Sequence, residues 1–328
     1  MEIFTVRYVL RNHIETAKLI ARSIGSKIQD NFIDVPSHIG DGFLEVYDFD
    51  KFSVLISKFK IKFDAKIVRE YSNLEDHFVF DYIIKGNANK FVNSSEGYIG
   101  QLHNGCKIST PSTESYGLFE KDKWHYQVSI LVKKSALEDY LNVDLPKVLH
   151  NPNQPLFLAL ELPIGLSDSL KYFLLGAKTE LFRDKIAYHK SIEALVSTSG
   201  LLISRGENYD DQRKFHPDDV LRVTALRDHM IENLRKHFTI KELTELFNIN
   251  KDKLQFIFKT IYGTTVAEYL KTKRMEFAHS LLLQGHNASE AGRSVGYTNL
   301  SHFARAFKSI YGHNPSELKI IYYANEKA

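Results

Sequence analysis

The sequence predicts a two-domain α+β protein, in which an N-terminal antiparallel β-barrel or sandwich with flanking helices precedes an all-α C-terminal domain. Three observations lead to this fold class. Segments typical of short strands fill residues 42–132. A polar segment at residues 206–219 separates them, and two predicted helices, from the rest of the chain. The string FKTIYG at residues 258–263 then returns as FKSIYG at residues 307–312, so the C-terminal region contains one small helical unit twice.

The length and composition are those of a soluble globular protein. The 328 residues are 43% hydrophobic and 25% charged, and no apolar run approaches the roughly 20 residues that a membrane-spanning helix needs. The N-terminus lacks the basic start and the apolar core of an export signal. Cys106 is the only cysteine, which excludes an internal disulfide and a thiolate metal cluster. These features predict a cytoplasmic protein.

The N-terminal region, residues 1–160, is predicted to be rich in β-strands. Five segments combine β-branched and aromatic residues, alternate in part, and end at Gly, Asn, Asp or Ser turns. They are residues 42–49, 52–61, 78–86, 115–124 and 125–134. Strands this short and this close favour an antiparallel sandwich or barrel over βαβ units. Upstream, a helix that packs on the barrel is predicted from apolar residues at helical spacing, which are Ile14, Ala17, Ala21, Ile24 and Ile28.

Two further helices are predicted in residues 161–210, a region that we interpret as helical linker and dimerisation segment. The first runs over about 167–188 with Ser167 as its N-cap, and the second over about 191–204. The first helix carries an apolar stripe of Leu170, Phe173, Leu174, Ala177 and Leu181. We expect Leu170, Phe173, Leu174 and Leu181 to form a homodimer interface. The alternative is that the stripe packs only on its own barrel.

Residues 211–328 are predicted to hold two helix-turn-helix units. Thr239 caps the supporting helix of the first unit, and Asn250 caps the helix that follows the turn. On that second helix, Gln255 can bond an adenine edge, and Asp252 can accept from cytosine N4. Phe256 either touches a thymine methyl group or packs on a neighbouring helix, with packing favoured, and the lysines are expected to bind phosphate. The predicted DNA contacts of this unit are Asn250, Lys251, Asp252, Lys253, Gln255, Phe256 and Lys259.

The second unit repeats this plan with different side chains. Gly296 ends its supporting helix and Asn299 caps the next one, whose inward residues are predicted to be Phe303, Ala306, Phe307 and Ile310. Arg305 is the strongest candidate for a guanine contact because its fork matches O6 and N7, and the alternative is a solvated surface charge. The predicted DNA contacts are Thr298, Asn299, Leu300, Ser301, His302, Arg305 and Lys308.

A helix of roughly 20 residues, or about 30 Å, is predicted between the two units. Successive major grooves on one face of DNA lie roughly 34 Å apart, so this helix can hold two recognition helices in adjacent grooves. Its buried side is predicted to be Ala267, Leu270, Arg274, Ala278, Leu281 and Leu282. A basic excess supports a polyanionic partner, since residues 216–328 hold 16 Lys and Arg against 12 Asp and Glu.

The strings LTELFNINKDKLQFIFK, RMEFAHSLL and SEAGRSVGYTNLSHFARAFKSIYGHNPSEL resemble the tandem helix-turn-helix domain of AraC/XylS-type transcriptional regulators. The resemblance covers residues 217–323. The chain departs from the usual pattern at Thr244 and Gly292, where alanine is usual, at Tyr297 for phenylalanine and at Lys319 for arginine. The resemblance implies a cupin-like N-terminal barrel for an effector and helices for dimerisation. It also implies double-stranded DNA and RNA polymerase as partners.

The N-terminal region carries no enzymatic motif. His77, His103 and His125 are isolated and form no H-x-H pair, so a metal-dependent cupin enzyme, a metal site and a cofactor are not expected. Cys106 is interpreted as an ordinary thiol. If the barrel binds an effector, the aromatic residues Tyr82, Trp124 and Tyr126 are candidates to line the site, and the alternative for each is a place in the core.

The sequence therefore predicts a dimeric transcription factor whose tandem helix-turn-helix domain reads an asymmetric half-site under the control of a small-molecule effector. Two alternatives remain. One is a barrel enzyme fused to a DNA-binding module, and the other is a DNA-binding protein without an effector.

Overall fold

The computed structural model describes residues 3–86, 90–93, 98–101, 105–142, 145, 149–150, 156–162, 164–176, 181–205 and 217–318. The chain divides into two compact units, Met1–Pro217 and Asp218–Ala328, which we call the first and second units. The predicted two-domain α+β class is confirmed, because the first unit is built on antiparallel sheet and every described element of the second unit is helical. The helices that we assigned to residues 161–210 lie within the first unit.

The first unit combines thirteen strands with four helices in the described ranges. The strands are β1 (Phe4–Val9), β2 (Ile28–Gln29), β3 (Phe32–Asp34), β4 (Gly40–Phe49), β5 (Phe52–Ile61), β6 (Ala65–Glu70), β7 (His77–Lys85), β8 (Lys90–Asn93), β9 (Tyr98–Gln101), β10 (Gly105–Ser109), β11 (Ser115–Phe119), β12 (Trp124–Lys133) and β13 (Phe157–Glu161). The helices are α1 (His13–Ser23), α2 (Lys134–Leu141), α3 (Ile164–Leu175) and α4 (Arg183–Arg205).

These strands form three sheets. An eight-stranded antiparallel sheet has the order β13-β10-β7-β12-β5-β4-β3-β2. A three-stranded sheet has the order β1-β6-β11, with β1 and β6 parallel. Strands β8 and β9 pair separately. The predicted strand at 115–124 is wrong in its second half, because β11 ends at Phe119 and a turn with Asp122 at φ +58° leads into β12.

Alternation along the strands gives the eight-stranded sheet two different faces. On β7, Phe78, Phe80 and Tyr82 enter a core that also contains buried residues of α2, α3 and α4. Cys106 on β10 belongs to the same core. The opposite face meets α1, which packs Ala17 and Ala21 against β4 and β5. This confirms the predicted helix as far as Ser23, but Ile24 follows its last residue and Ile28 lies in β2.

The helices of residues 161–210 begin and end at other places than predicted. Helix α3 starts at Ile164, so Ser167 is a buried residue of its first turn and not its N-cap. The long helix predicted over 167–188 is interrupted, because Phe182 adopts a left-handed φ of +62° immediately before α4. Helix α4 then runs for 23 residues without a break. Ala177 and His103 lie outside the described residues, as does Lys319.

The second unit contains six described helices and a short 3-10 turn. They are α5 (Pro217–Glu232), α6 (Ile240–Leu246), α7 (Lys251–Tyr262), α8 (Val266–Leu283), α9 (Ala288–Ser294) and α10 (Leu300–Tyr311), followed by the turn Pro315–Glu317. No helix among the described residues of the chain is long and apolar enough to cross a membrane.

Candidate functional sites: a nucleic-acid interface and a ligand cavity

The two helix-turn-helix units have the same backbone frame. Their supporting helices, α6 and α9, are each seven residues long, and each begins with a reciprocal capping box. In α6 the box joins Thr239 and Glu242, and in α9 it joins Asn287 and Glu290. The helices that follow, α7 and α10, are each twelve residues long and end at a left-handed glycine, Gly263 or Gly312. The duplication seen in the sequence is therefore a duplication of structure.

Asn250 and Asn299 cap α7 and α10, as predicted. The Asn250 Oδ1 accepts from the backbone N–H groups of Asp252 and Lys253, at 2.8 and 3.4 Å. The Asn299 Oδ1 accepts from those of Ser301 and His302, at 2.9 and 3.2 Å. Because the amide oxygens are engaged within the helices, any contact of these asparagines with DNA would use their side-chain nitrogens.

Helix α7 presents the face that the sequence predicts. Its inward side chains Leu254, Ile257 and Phe258 are buried, whereas Asp252, Gln255 and Lys259 are exposed. Phe256 lies among the exposed residues and is itself 55% exposed. The packing that we favoured for Phe256 therefore leaves more than half of this side chain in solvent, where a partner can reach it.

Helix α10 presents a chemically different face on the same frame. Phe303 and Phe307 are buried, and Thr298, Ser301, His302, Arg305 and Lys308 are exposed. Leu300 is also exposed. Ile310, which we predicted to face inward, is exposed because the last turn of α10 packs through Tyr311 instead.

Helix α8 joins the two units over 18 residues, or about 27 Å at 1.5 Å per residue. Its buried side differs from the prediction at its start, where Val266 and Tyr269 are buried and Ala267 is exposed. Arg274 is buried as predicted, because Nε donates to the carbonyl of Leu234 and Nη2 to that of Lys236, at 2.8 and 2.7 Å. These bonds tie α8 to the segment that follows α5.

The predicted phosphate-binding lysines differ in their surroundings. Lys251 and Lys259 are exposed. Lys253 pairs its Nζ with Oδ2 of the buried Asp219 on α5, at 2.8 Å. Lys253 therefore has a structural partner that would compete with a phosphate.

A cavity of about 140 Å³ lies between the three-stranded sheet, α1 and the face of the eight-stranded sheet on which α1 packs. We call it the inter-sheet cavity. Alternate residues of the three-stranded sheet line it in rows that cross β1, β6 and β11. The first row is Tyr8, Arg69 and Ser115, the second is Val6, Ile67 and Gly117, and the third is Phe4, Ala65 and Phe119. The cavity is therefore polar at one end and apolar at the other.

Buried charges gather at the polar end of the inter-sheet cavity. Lys107 Nζ pairs with Asp81 Oδ2 at 2.7 Å, and both side chains are almost fully buried. Ser129 donates its hydroxyl to the other oxygen of Asp81. Burial by itself would raise the pKa of Asp81, but Lys107 and Arg69 outweigh it and hold this pKa below its ordinary value. Among the described residues, no group of three or more His, Cys, Asp or Glu side chains is placed to hold a metal ion.

His13 on α1 closes the same end in its neutral form. Its ring nitrogens contact the Ser53 carbonyl and the Ser129 hydroxyl at 3.0 and 3.1 Å. Burial lowers the pKa of His13 to about 4. An unfolded chain protonates this histidine near pH 6.5, so the unfolded state binds more protons than the folded state between the two values.

Acid is therefore expected to destabilise the first unit through His13. As the pH falls from about 6.5 to about 4, this residue alone should remove on the order of 3 kcal/mol from the free energy of unfolding. Urea unfolding of the wild type and of His13→Gln at both ends of this range measures it, with the exposed His38→Gln as the matched control. If the free energy of unfolding falls as much on acidification in His13→Gln as in the wild type, His13 is not the source of the acid sensitivity.

The three predicted effector residues lie elsewhere. Tyr82 and Tyr126 are buried in the core on the helix-covered face of the sheet, and Trp124 packs against that core. None of the three lines the inter-sheet cavity. The reason is alternation, because Tyr82 adjoins Asp81 on β7 and therefore points to the opposite side of the sheet.

The predicted dimerisation stripe is mostly core as well. Leu170, Phe173 and Leu174 are buried against the eight-stranded sheet and α4, so the alternative reading applies to them. Leu181 differs, since it precedes α4 in the turn and is 76% exposed. Helix α4 has an exposed side of its own, which contains Val196, Gly200 and Ile203.

Sequence reasoning missed the polar residues of the inter-sheet cavity. Asp81 stands between apolar neighbours in the string FVFDYII, and this interruption of a buried strand was the available signal. Lys107 and Arg69 lie in strands that we did not predict. Their partners are distant in sequence, so the cluster becomes visible only once the strands are paired.

Comparison with known proteins supports the helix-turn-helix architecture of the second unit. A family model described as a helix-turn-helix domain matches residues 243–319. The "Probable transcriptional regulator LumQ" of Photobacterium leiognathi is 24% identical over 215 residues, which cover 61% of this chain and 86% of that protein. This match is longer than the second unit and therefore reaches into the first.

Two further relatives match a shorter part of the chain. The "Transcriptional activator RhrA" of Rhizobium meliloti (strain 1021) is 31% identical over 102 residues, which cover 30% of this chain and 32% of that protein. A solved structure of a probable AraC family transcriptional regulator from Rhodopseudomonas palustris CGA009 is 30% identical and covers 30% of this chain and 93% of that chain, with a TM-score of 0.28. With two capped helix-turn-helix units joined by one helix, the second unit is similar to the DNA-binding domain of these transcriptional regulators.

Proposed function

We propose that this regulator reads an asymmetric DNA half-site through α7 and α10, and that a small molecule in the inter-sheet cavity controls it. The observation that carries the proposal is that two units with one backbone frame present different exposed side chains. Gln255 and Asp252 stand on α7, whereas Arg305 and His302 stand on α10. Side chains of these types distinguish base pairs in the major groove.

The spacing of the units supports simultaneous contact. Helix α8 is about 27 Å long, which is close to the roughly 34 Å between successive major grooves on one face of the duplex. Arg305 is proposed to contact guanine, and Gln255 adenine. Lys251, Lys259 and Lys308 are proposed to bind phosphates, which fixes the position of the protein without selecting a sequence.

Control by an effector is proposed for the first unit because it contains a cavity with both polar and apolar walls. A ligand that binds one arrangement of the chain more tightly than another would shift the population that binds DNA. A barrel enzyme fused to a DNA-binding domain is the alternative, and turnover of a small substrate or stoichiometric bound metal would favour it.

We also propose a homodimer, with its contact on the exposed side of α4. Val196, Gly200 and Ile203 follow each other at intervals of four and three residues, so they share one side of the helix. Gly200 has open space where a side chain would stand, which permits close approach of a second helix. One relative is named a transcriptional activator, which supports RNA polymerase as a further partner in the cytoplasm.

The assignment of DNA contacts is tested by separating base reading from phosphate binding. The operator is first selected from a pool of random duplexes with the wild-type chain. Arg305→Ala is then expected to weaken binding to the selected site by about 1–3 kcal/mol and to relax the preference at one base pair. Lys251→Ala should weaken binding to the selected duplex and to random duplexes by the same factor. It should also lower the slope of log affinity against log salt concentration by about one unit.

Lys241→Ala is the matched control for the lysine, because Lys241 is exposed on the supporting helix α6. Affinity for DNA should not change in this variant. If Arg305→Ala lowers affinity for selected and random duplexes equally, Arg305 binds phosphate and the proposed reading of guanine is wrong.

A further inference from the structure

We propose that the inter-sheet cavity binds a small organic monoanion, a carboxylate whose head group bonds Arg69 and whose apolar body packs against Phe59 and Phe119. This inference rests on the proposed function, because it names the chemical class of the effector. It follows from three properties of the cavity, which are its charge, the unused donors of Arg69 and the separation of polar from apolar walls.

The charge at the polar end is not balanced. Asp81 is already satisfied, because Lys107, Ser129 and Gln127 all donate to its carboxylate. His13 is neutral at physiological pH, since burial lowers its pKa to about 4. Among the described residues that line the cavity, two buried cations, Arg69 and Lys107, face the single carboxylate of Asp81, which leaves an excess of one positive charge. A cationic ligand would add to this excess, whereas a monoanion would cancel it.

Arg69 carries the excess charge because its own partners are neutral. It is 3% exposed. Its Nε donates to the carbonyl of Thr113 at 3.2 Å, and its Nη2 donates to the Ser109 hydroxyl and the Thr113 carbonyl, each at 2.9 Å. Within the part of the chain that the structure describes, Arg69 forms no ion pair and its Nη1 has no hydrogen-bond acceptor. A guanidinium held in this way has donors left for a carboxylate, which it binds by charge-assisted hydrogen bonds.

The walls of the cavity fix the direction of the ligand. In the three-stranded sheet, Arg69 lies in the first row, at the polar end of the cavity. The third row, at the apolar end, consists of Phe4, Ala65 and Phe119. On the opposite wall, the ring of Phe59 is tilted against that of Phe119, with 5.4 Å between the ring centres. A carboxylate at Arg69 therefore places the body of the ligand among aromatic and aliphatic side chains.

The size of the cavity limits that body. A cavity of about 150 Å³ lined by apolar side chains holds one benzene molecule, and the inter-sheet cavity is close to this volume at about 140 Å³. A single ring or a short alkyl chain fits such a space. Benzoate and hexanoate are therefore suitable probes of the two shapes.

Calorimetric titration of the full-length chain tests the proposal. The probes are benzoate and hexanoate, their neutral amides benzamide and hexanamide, and the cation benzylamine. At least one acid is expected to bind about 10- to 100-fold more tightly than its amide, since hydrogen bonds to a charged group contribute more than neutral ones. Benzylamine should not bind.

Arg69→Gln should remove the preference for the acid and leave the affinity for the amide unchanged. The matched control is Arg7→Gln, an exposed arginine on β1 of the same sheet, and it should keep the preference. If Arg69→Gln does not fold, Arg69→Lys retains a charge with fewer donors and should lower the preference without abolishing it. Ile67→Trp should fill the cavity and remove binding of acid and amide together.

The proposal is overturned if the amides bind as tightly as the acids, if benzylamine binds, or if neither acid binds at millimolar concentration. It is also overturned if Arg69→Gln, once folded, keeps the preference for the acid. Affinity for the selected duplex is measured separately with and without the bound acid. An acid that binds through Arg69 but leaves DNA affinity unchanged would support the ligand class and contradict effector control.

Discussion

Replacing Leu174 with glutamate is expected to unfold the first unit. The Leu174 side chain is 0% exposed and packs in the core that joins α3, α4 and the eight-stranded sheet. An unpaired carboxylate in such a place costs several kcal/mol, which is a large part of the roughly 5–15 kcal/mol by which domains are stable. Loss of the cooperative urea transition of this unit, followed by circular dichroism, is the measurement.

Two exposed positions serve as controls for this substitution. Leu181→Glu and Val196→Glu should leave the free energy of unfolding within about 0.5 kcal/mol of the wild type, since surface changes have small effects. In sedimentation, Val196→Glu should convert the proposed dimer to a folded monomer, because Val196 stands on the exposed side of α4. A folded Leu174→Glu monomer would instead assign the dimer contact to the predicted stripe, and a monomeric wild type would remove the dimer altogether.

Glu45→Ala is expected to lower the free energy of unfolding by about 3–5 kcal/mol, the usual cost of leaving a buried partner charge unpaired. Glu45 on β4 accepts two hydrogen bonds from Arg183 at the start of α4, with Nη2 to Oε1 at 3.0 Å and Nε to Oε2 at 3.1 Å. Arg183 also donates from Nη1 to the Phe173 carbonyl at 2.9 Å. The pair therefore joins three elements, and both side chains are buried. Urea unfolding midpoints measure the loss.

The exposed pair of Arg7 and Glu70 provides the comparison, and Glu70→Ala should change stability by less than about 1 kcal/mol. The double variant Glu45→Met with Arg183→Met removes both charges and should recover most of the stability, because apolar replacements of a buried ion pair are often neutral. A double variant as unstable as Glu45→Ala would show that the loss comes from packing and not from the unpaired charge.

Most of the second unit could be predicted because its signals are local. An asparagine or threonine cap, a glycine at the helix end and a 3.6-residue apolar period are all local to one helix, so Asn250, Asn299 and Gly296 marked the boundaries without tertiary information. The errors occurred where a helix end meets another element. Ile310 and Ala267 are examples, because the packing partner and not the period decides their exposure.

For the first unit, the sequence predicted the fold class but not the residues that line the cavity. Alternation along β7 places Phe80 and Asp81 on opposite faces, but it does not tell which face is covered by helices and which encloses a cavity. That depends on strand pairing over long distances, such as Arg69 with Tyr8 and Ser115. Large aromatic residues such as Tyr82 suggested a binding site, whereas the structure uses them to fill the core.

The burial of Cys106 has a kinetic consequence. It is the only cysteine of the chain, and it lies on β10 in the core of the first unit. Burial raises the pKa of its thiol, so the reactive thiolate is disfavoured while the unit is closed. Alkylation at this position therefore requires opening of the sheet, and its rate measures how often the first unit opens. The second unit contains no cysteine, so the reaction reports on the opening of the first unit alone.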